Sequence, residues 1–313
     1  MKKILIALFV LCCLALIGIY ALVPAKINFK KTILVQVNQV NANRILTDDT
    51  KWNKWWPKDD NNNKQADTAN HVYKNYYYSV NSTMLIGDSI VIKNNSTLVN
   101  SLLYVIPLNS DSISLQWIGE STATANPFKR FKNYLQRKQV ENNVATLLQS
   151  LKVFLENKQN LYGISISQEK VTDTLLLATR FTSASYPETA QIYALIKNLK
   201  DYILKEGALE TNNPMLHVIQ DSGIFKTMVA IPLNKVIPVT GNFLFKRMVP
   251  GKILTTEVKG GINNNNNAIK TIELYMDDYH LMAPAISFQS LVTDRSKEAD
   301  STKWITKIYY PVM

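Results

Sequence analysis

A gapless internal repeat in the second half of the chain constrains the fold more than any other feature. Phe225–Leu233 aligns with Trp304–Val312, and both stretches read aromatic–x–Thr–x–aliphatic–x–x–Pro–aliphatic. Two copies of one ending indicate two copies of one supersecondary unit, because such units bury their apolar faces against each other. The second half is therefore predicted to contain two related units in tandem.

The same order of elements is predicted before each ending. The first unit is a strand, a helix and two strands, over 174–181, 187–206, 215–220 and 225–233. The second unit repeats this order over 252–259, 267–279, 286–293 and 303–312. Ser185 and Glu188 are predicted to form a capping box at the start of the first helix, with Pro187 in its first turn and Gly207 at its end. The run Asn263–Asn267 is predicted to be a loop.

Two strand–helix–strand–strand units in tandem resemble the gyrase-inhibitor-like (GyrI-like) domain, which is also the effector-binding half of some AraC-type and MerR-type regulators. The residues that carry the resemblance are Pro250-Gly251-Lys252, Ala230–Leu233 and the terminal stretch Trp304–Val312. The resemblance covers about Ser165–Met313. It implies a ligand-binding groove between the two repeats, lined with aromatic residues.

The resemblance also implies where a ligand would bind. Some members of the family place an acidic residue in the groove just after the threonine of the last strand, and this chain has Lys307 there, with Met228 at the equivalent position of the first repeat. A lysine in the groove favours an anionic or polar ligand, whereas a lysine that extends to the rim has no specific role. Alternation along the strand places Lys307 and Tyr309 on one side, and we expect both to face the groove with Trp304 packed below. The candidate ligand-binding residues are Lys307, Tyr309, Met228, Glu257 and Tyr275.

Catalytic motifs are not evident in the sequence. His71, His217 and His280 are far apart and do not have the spacing of metal ligands. The chain has no G-x-S-x-G nucleophile elbow and no glycine-rich phosphate loop. The sequence therefore predicts no catalytic residue, no metal and no cofactor.

The first half is predicted to follow a different plan. A strand over 27–38, a short tryptophan-rich helix, a meander over 76–124 and a long helix capped by Asn126 give the order of a helix-grip fold. The stretch Lys51–Pro57 resembles the SRPBCC/START-like superfamily, and the resemblance covers about Ile27–Asn160. It implies a cavity between sheet and long helix. Trp52, Trp55 and Trp56 share one helical face, which indicates core or cavity wall more than a separate binding box.

The amino terminus has the pattern of a membrane segment. Lys2 and Lys3 precede an uncharged run from Ile4 to Val23, long enough to cross a hydrocarbon core of about 30 Å as a helix. We expect an uncleaved anchor; the alternative is a cleavable signal with Val23 and Ala25 at its processing site. The expected localisation is the inner membrane, single-pass, with the bulk of the chain in the periplasm.

The predicted fold class is α+β, with a membrane helix, a helix-grip (START-like) domain and a tandem GyrI-like domain. The predicted boundaries are 1–25, 26–163 and 164–313. The net charge is +11, but basic residues are interleaved with acidic ones, which indicates a solvated surface near anionic lipid and not a nucleic-acid site. Both cysteines, Cys12 and Cys13, lie in the apolar run, so the rest of the chain forms no disulfide.

The function predicted from these patterns is that of a bacterial membrane-tethered protein that binds a small molecule or lipid as a non-catalytic sensor or carrier. One alternative is a hydrolase that acts in either cavity. A second alternative is a structural or partner-binding envelope protein. The identity of the ligand and of any protein partner stays open.

Overall fold

The computed structural model describes residues 2–58, 70–84, 87–95, 97–172 and 174–313. The chain divides into two compact units, Met1–Leu161 (unit 1) and Tyr162–Met313 (unit 2). Each unit combines one antiparallel sheet with packed helices, so the predicted α+β class is confirmed.

Unit 1 has the predicted order of a strand, short helices, a meander and a long helix. Its elements are α1 Lys2–Leu22, β1 Asn28–Val35, α2 Gln39–Leu46, α3 Trp52–Trp55, β2 Asn70–Tyr73, β3 Tyr76–Met84, β4 Gly87–Lys93, β5 Leu98–Pro107, β6 Ile113–Ser121 and α4 Pro127–Leu155, followed across the boundary by α5 Lys158–Tyr162. The strands form one sheet in the order β1-β6-β5-β4-β3-β2, with every neighbouring pair antiparallel. Asn126 caps α4 as predicted, because its side chain accepts hydrogen bonds from the first turn.

The core of unit 1 lies between α4 and the sheet. Apolar residues of α4 at helical spacing are buried in it: Val140, Val144, Leu147, Leu148, Leu151, Phe154 and Leu155. Trp52 and Trp55 belong to the same core cluster, with ring centroids 5.1 Å apart. Trp56 is half-buried and packs against His71 and Tyr78 at 5.0 and 5.2 Å. The tryptophans thus contribute to the core, in agreement with the favoured interpretation of their spacing.

The predicted membrane anchor requires correction. Among the described residues, no helix combines the length and the apolar character needed to cross a bilayer, so the single-pass inner-membrane placement is wrong. Polar contacts join the end of α1 to the first turn of α4. The Tyr20 hydroxyl donates to the Ala125 carbonyl, and the Arg130 guanidinium donates to the Val23 carbonyl and lies 4.8 Å from the Tyr20 ring. The apolar composition of the run does not predict these contacts, because their partners Ala125 and Arg130 lie far along the chain.

Unit 2 contains the predicted pair of repeats. Its elements are β7 Ser167–Lys170, β8 Leu175–Ser183, α6 Thr189–Lys205, β9 Met215–Asp221, β10 Ile224–Pro232, β11 Leu244–Arg247, β12 Lys252–Lys259, α7 Ile262–Asp278, β13 Phe288–Leu291 and β14 Ile305–Val312. The first repeat is β8-α6-β9-β10 and the second is β12-α7-β13-β14. The sheet order β11-β8-β10-β9-β13-β14-β12-β7 is symmetric about its centre, with one short flanking strand at each edge.

The two equal strand endings predict a pseudo-two-fold pair of repeats with Phe225–Leu233 and Trp304–Val312 as the matching central strands. β10 and β14 do hold matching positions, but each lies in the middle of its own repeat and neither joins the two repeats. The junction is formed by β9 and β13, through the pairs Leu216↔Gln289 and Met215↔Ser290. The reason is that β8 and β9 occupy both edges of β10, and β11 covers the outer edge of β8. This leaves the outer edge of β9 to meet the second repeat.

Both helices of unit 2 begin at other residues than predicted. The N-cap of α6 is Glu188, whose backbone N–H donates to Gln191 Oε1 at 3.0 Å, so Pro187 precedes the helix and Ser185 takes no part in the box. The asparagine run is not a loop, because α7 begins at Ile262. Buried Asn265 donates to Gln289 Oε1 at 3.1 Å and to Thr306 Oγ1 at 3.4 Å. These tertiary contacts outweigh the weak helix propensity of asparagine.

The sheet of unit 2 has two distinct faces. Leu177, Val229 and Ile231 belong to the core cluster formed with α6, and Thr306 lies under α7 through its contact with Asn265. We call this the helix face. Successive side chains of a strand point to opposite sides, so the intervening residues lie on the other face, which we call the groove face.

Candidate functional site

The first repeat gives the groove face an apolar floor. Cross-strand partners share a face, and the register pairs Met228 with His217 and Ala230 with Met215. These strands contribute to an apolar cluster that is separate from the α6 core: Leu176, Ala178, Met215, Ala230, Met228, Leu244, Met248 and Phe288. Three of the eight are methionines, whose unbranched, polarisable side chains adapt to ligands of different shape.

The second repeat adds an aromatic and charged part to the same face. Phe288 is paired with Tyr309, and their rings stack 4.9 Å apart at 9°. Lys307 has the same parity as Tyr309, so both lie on the groove face together with Met228. Trp304 lies just before β14; it is buried, and its Nε1 donates to the Glu298 carbonyl at 2.8 Å.

The other two candidate residues lie in different places. Glu257 of β12 is opposite Lys307 in the register and is exposed on the groove face. Tyr275 of α7 is buried, with its ring 5.3 Å from Tyr162 and 4.6 Å from Tyr279. The structure therefore places Tyr275 on the helix side of the sheet and does not bring it to the groove face.

Lys307 is held in an ion pair with Glu169 of β7. Its Nζ lies 2.9 and 3.1 Å from the two carboxylate oxygens, and Thr255 Oγ1 donates to Glu169 Oε1 at 2.9 Å. The side chain of Lys307 is 30% exposed and that of Glu169 is 43% exposed. Nothing in the sequence marks Glu169 as a partner, because β7 is a four-residue strand with every side chain exposed and therefore has no alternating pattern.

The ion pair favours the charged form of both side chains. The hydrogen bond from Lys307 lowers the pKa of Glu169 below its ordinary value, against the opposing effect of burial. Burial alone would lower the pKa of Lys307, but the hydrogen bond to Glu169 helps to raise it overall. The carboxylate is thus charged at neutral pH and a poor general base, since such a base needs a pKa near the working pH. The charge of Lys307 is partly compensated by Glu169, which weakens the reason to expect an anionic ligand at this lysine.

His217 is a polar group of the groove face that its sequence position does not reveal. Its Nδ1 lies 2.7 Å from the Ser287 carbonyl oxygen. Burial lowers the pKa of His217 below its ordinary value, so the ring is neutral at pH 7. The spacing of histidines along the sequence can indicate a metal site, but it does not predict that His217 lies on the groove face. That position follows from the pairing of β9 with β10. The residues that the structure describes contain no group of three or more His, Cys, Asp or Glu side chains placed to hold a metal ion.

No family model matches this sequence, and no curated protein matches it. Among solved structures, the crystal structure of the EcmrR C-terminal domain is similar at 16% identity and a TM-score of 0.42, over 48% of this chain and 98% of that chain. SAV2435 bound to tetraphenylphosphonium is similar at 16% identity and a TM-score of 0.32, over 48% and 94%. A hydrolase from Listeria innocua is similar at 11% identity and a TM-score of 0.37, over 50% and 96%. With identities and TM-scores this low, nothing about the function of this chain follows from them.

Proposed function

We propose that unit 2 is a GyrI-like small-molecule-binding domain that takes an apolar, aromatic ligand on its groove face. The observation that carries the proposal is the methionine-rich cluster on this face, which lies outside the α6 core and is continued by the stacked rings of Phe288 and Tyr309. Ligand sites are lined mostly by apolar and aromatic side chains with a few polar groups, which is the composition of this face. The tandem repeat and its symmetric sheet order support the family assignment.

We propose a binding role and not a hydrolytic one for this face. Lys307 and Glu169, which form an ion pair on this face, stabilise each other as charged species. A nucleophile or general base would need the opposite arrangement, in which a neighbouring group brings the pKa close to neutrality. A ligand sensor or carrier needs no such group.

We propose a START-like helix-grip domain for unit 1, with its role in the protein mainly structural. The order of its elements supports the family, and the core cluster between α4 and the sheet contains Trp52, Trp55 and Trp117. Large buried rings leave little room for a ligand, because protein interiors are packed as densely as organic crystals. The groove face of unit 2 is thus the better candidate for the ligand site.

The substitution Met228→Trp tests the proposal. Met228 is half-buried on the groove face, so a larger, rigid ring there should occupy part of the ligand volume. We expect affinity for an uncharged aromatic probe, 2-naphthol, to fall about tenfold, equivalent to about 1.4 kcal/mol, as measured by isothermal titration calorimetry on the full chain. Leu204→Trp is the matched control, because Leu204 is 77% exposed on α6. Equal affinities of the two variants would contradict the proposal.

A further inference from the structure

The hydrogen bonding of His217 determines which of its nitrogens can meet a ligand. A carbonyl oxygen only accepts hydrogen bonds, so the contact of 2.7 Å with the Ser287 carbonyl requires the proton to be on Nδ1. In a neutral imidazole the other nitrogen, Nε2, then carries a lone pair and acts as an acceptor. Within the described ranges, no residue is hydrogen-bonded to Nε2, and this atom is not enclosed by the protein. His217 thus presents a fixed acceptor.

The surroundings of His217 are apolar. Met228 is its cross-strand partner on one side. On the other side, Phe288 lies opposite it, one register position beyond the pair Leu216↔Gln289. Both neighbours belong to the apolar cluster of the groove face. An acceptor between two apolar side chains discriminates strongly between ligands with and without a hydrogen-bond donor. A ligand without a donor leaves the acceptor desolvated and unpaired.

The same face also carries charged groups. Lys307 is paired with Glu169 at 2.9 Å, whereas Arg180, the cross-strand partner of Met228, and Glu257, opposite Lys307, are both exposed. We infer that the groove face takes aromatic compounds that carry a hydroxyl or N–H donor, and that the uncharged imidazole of His217 accepts the hydrogen bond from that donor at Nε2. This inference rests on the proposed function and adds to it the chemical class of the ligand and the residue that specifies it.

Two probes and two variants test the inference on the full chain. The probe 2-naphthol has a hydroxyl donor, whereas 2-methoxynaphthalene has the same rings and no donor. The variant His217→Asn keeps an amide that can donate to Ser287 but does not reach the place of Nε2. The variant His217→Gln reaches further and can present its amide oxygen there. We expect the wild type and His217→Gln to bind the naphthol about tenfold more tightly than the methyl ether, and His217→Asn to lose this preference.

The outcomes separate this inference from the proposed function. If the wild type binds both probes equally, the role of His217 is refuted while the groove remains a binding site. If His217→Asn keeps the preference, the role is refuted as well. If neither probe binds, both proposals fail. The ¹⁵N chemical shift of His217 Nε2 in the wild type gives a second readout that needs no variant: it should move with 2-naphthol and stay constant with 2-methoxynaphthalene.

Discussion

At the scale of single residues, the charge of the groove face depends on a pair and not on one position. Lys307 alone suggests a site for anions, but Glu169, 138 residues earlier in the chain, lies within hydrogen-bond distance of it. The identity of Lys307 and its place on the strand are readable from the sequence. The pairing of Lys307 with Glu169 cannot be read from the sequence, because this contact arises from the pairing of β7 with β12 at the edge of the sheet.

Removal of Glu169 should restore the attraction for anions that Lys307 alone suggests. In Glu169→Gln the ammonium group loses its charged acceptor, so binding of 2-naphthoate should strengthen relative to 2-naphthol. The change should be modest, about two- to fivefold, because partly exposed ion pairs contribute about 0.2–1 kcal/mol. Calorimetric titration of both probes measures it. Glu273→Gln is the control, since it changes the net charge equally at a residue that contacts Tyr310 on the helix face. The same gain in both variants would refute a specific role for the ion pair.

At the scale of elements, the sequence predicts the helices and strands that have a hydrophobic period or a repeated motif within their own residues. The amphipathic face of α6 and the two copies of the Thr–Pro strand ending are visible in the residues themselves, and β10 and β14 follow from them. The flanking strands β7 and β11 are not predicted, because four-residue strands without a buried alternation have no period to detect. The first turns of α7 are missed for a related reason: asparagine favours loops locally, and only the buried contacts of Asn265 make the run helical.

The contacts of Asn265 should therefore be measurable as stability. Asn265→Ala removes the donor to Gln289 and Thr306 and leaves buried polar groups without it, so we expect a loss of about 1–3 kcal/mol in the free energy of unfolding. Asn266→Ala, at an exposed neighbouring position, should be neutral or slightly stabilising, because alanine is the better helix former. Urea unfolding followed by circular dichroism compares the two. Equal stabilities would mean that the asparagine run is helical for another reason.

At the scale of the whole molecule, the α+β class and the tandem repeat are predictable, and the localisation is not. The apolar run at the amino terminus gives the composition of a membrane helix but not the contacts that Tyr20 and Arg130 make with the rest of unit 1. The groove face is likewise a property of the assembled sheet. Its apolar cluster takes residues from β8, β10, β9, β11 and β13, and only the register brings them together.

The methionine methyl groups give the most direct test of ligand binding on the groove face. Met215, Met228 and Met248 belong to its apolar cluster, whereas Met276 is buried on α7 on the other side of the sheet. In methyl-labelled full-length protein, addition of 2-naphthol should shift the resonances of the first three in a saturable way and leave Met276 unchanged. A saturable shift at Met276 without shifts at the other three, or no shift at any of the four, would contradict a ligand site on the groove face.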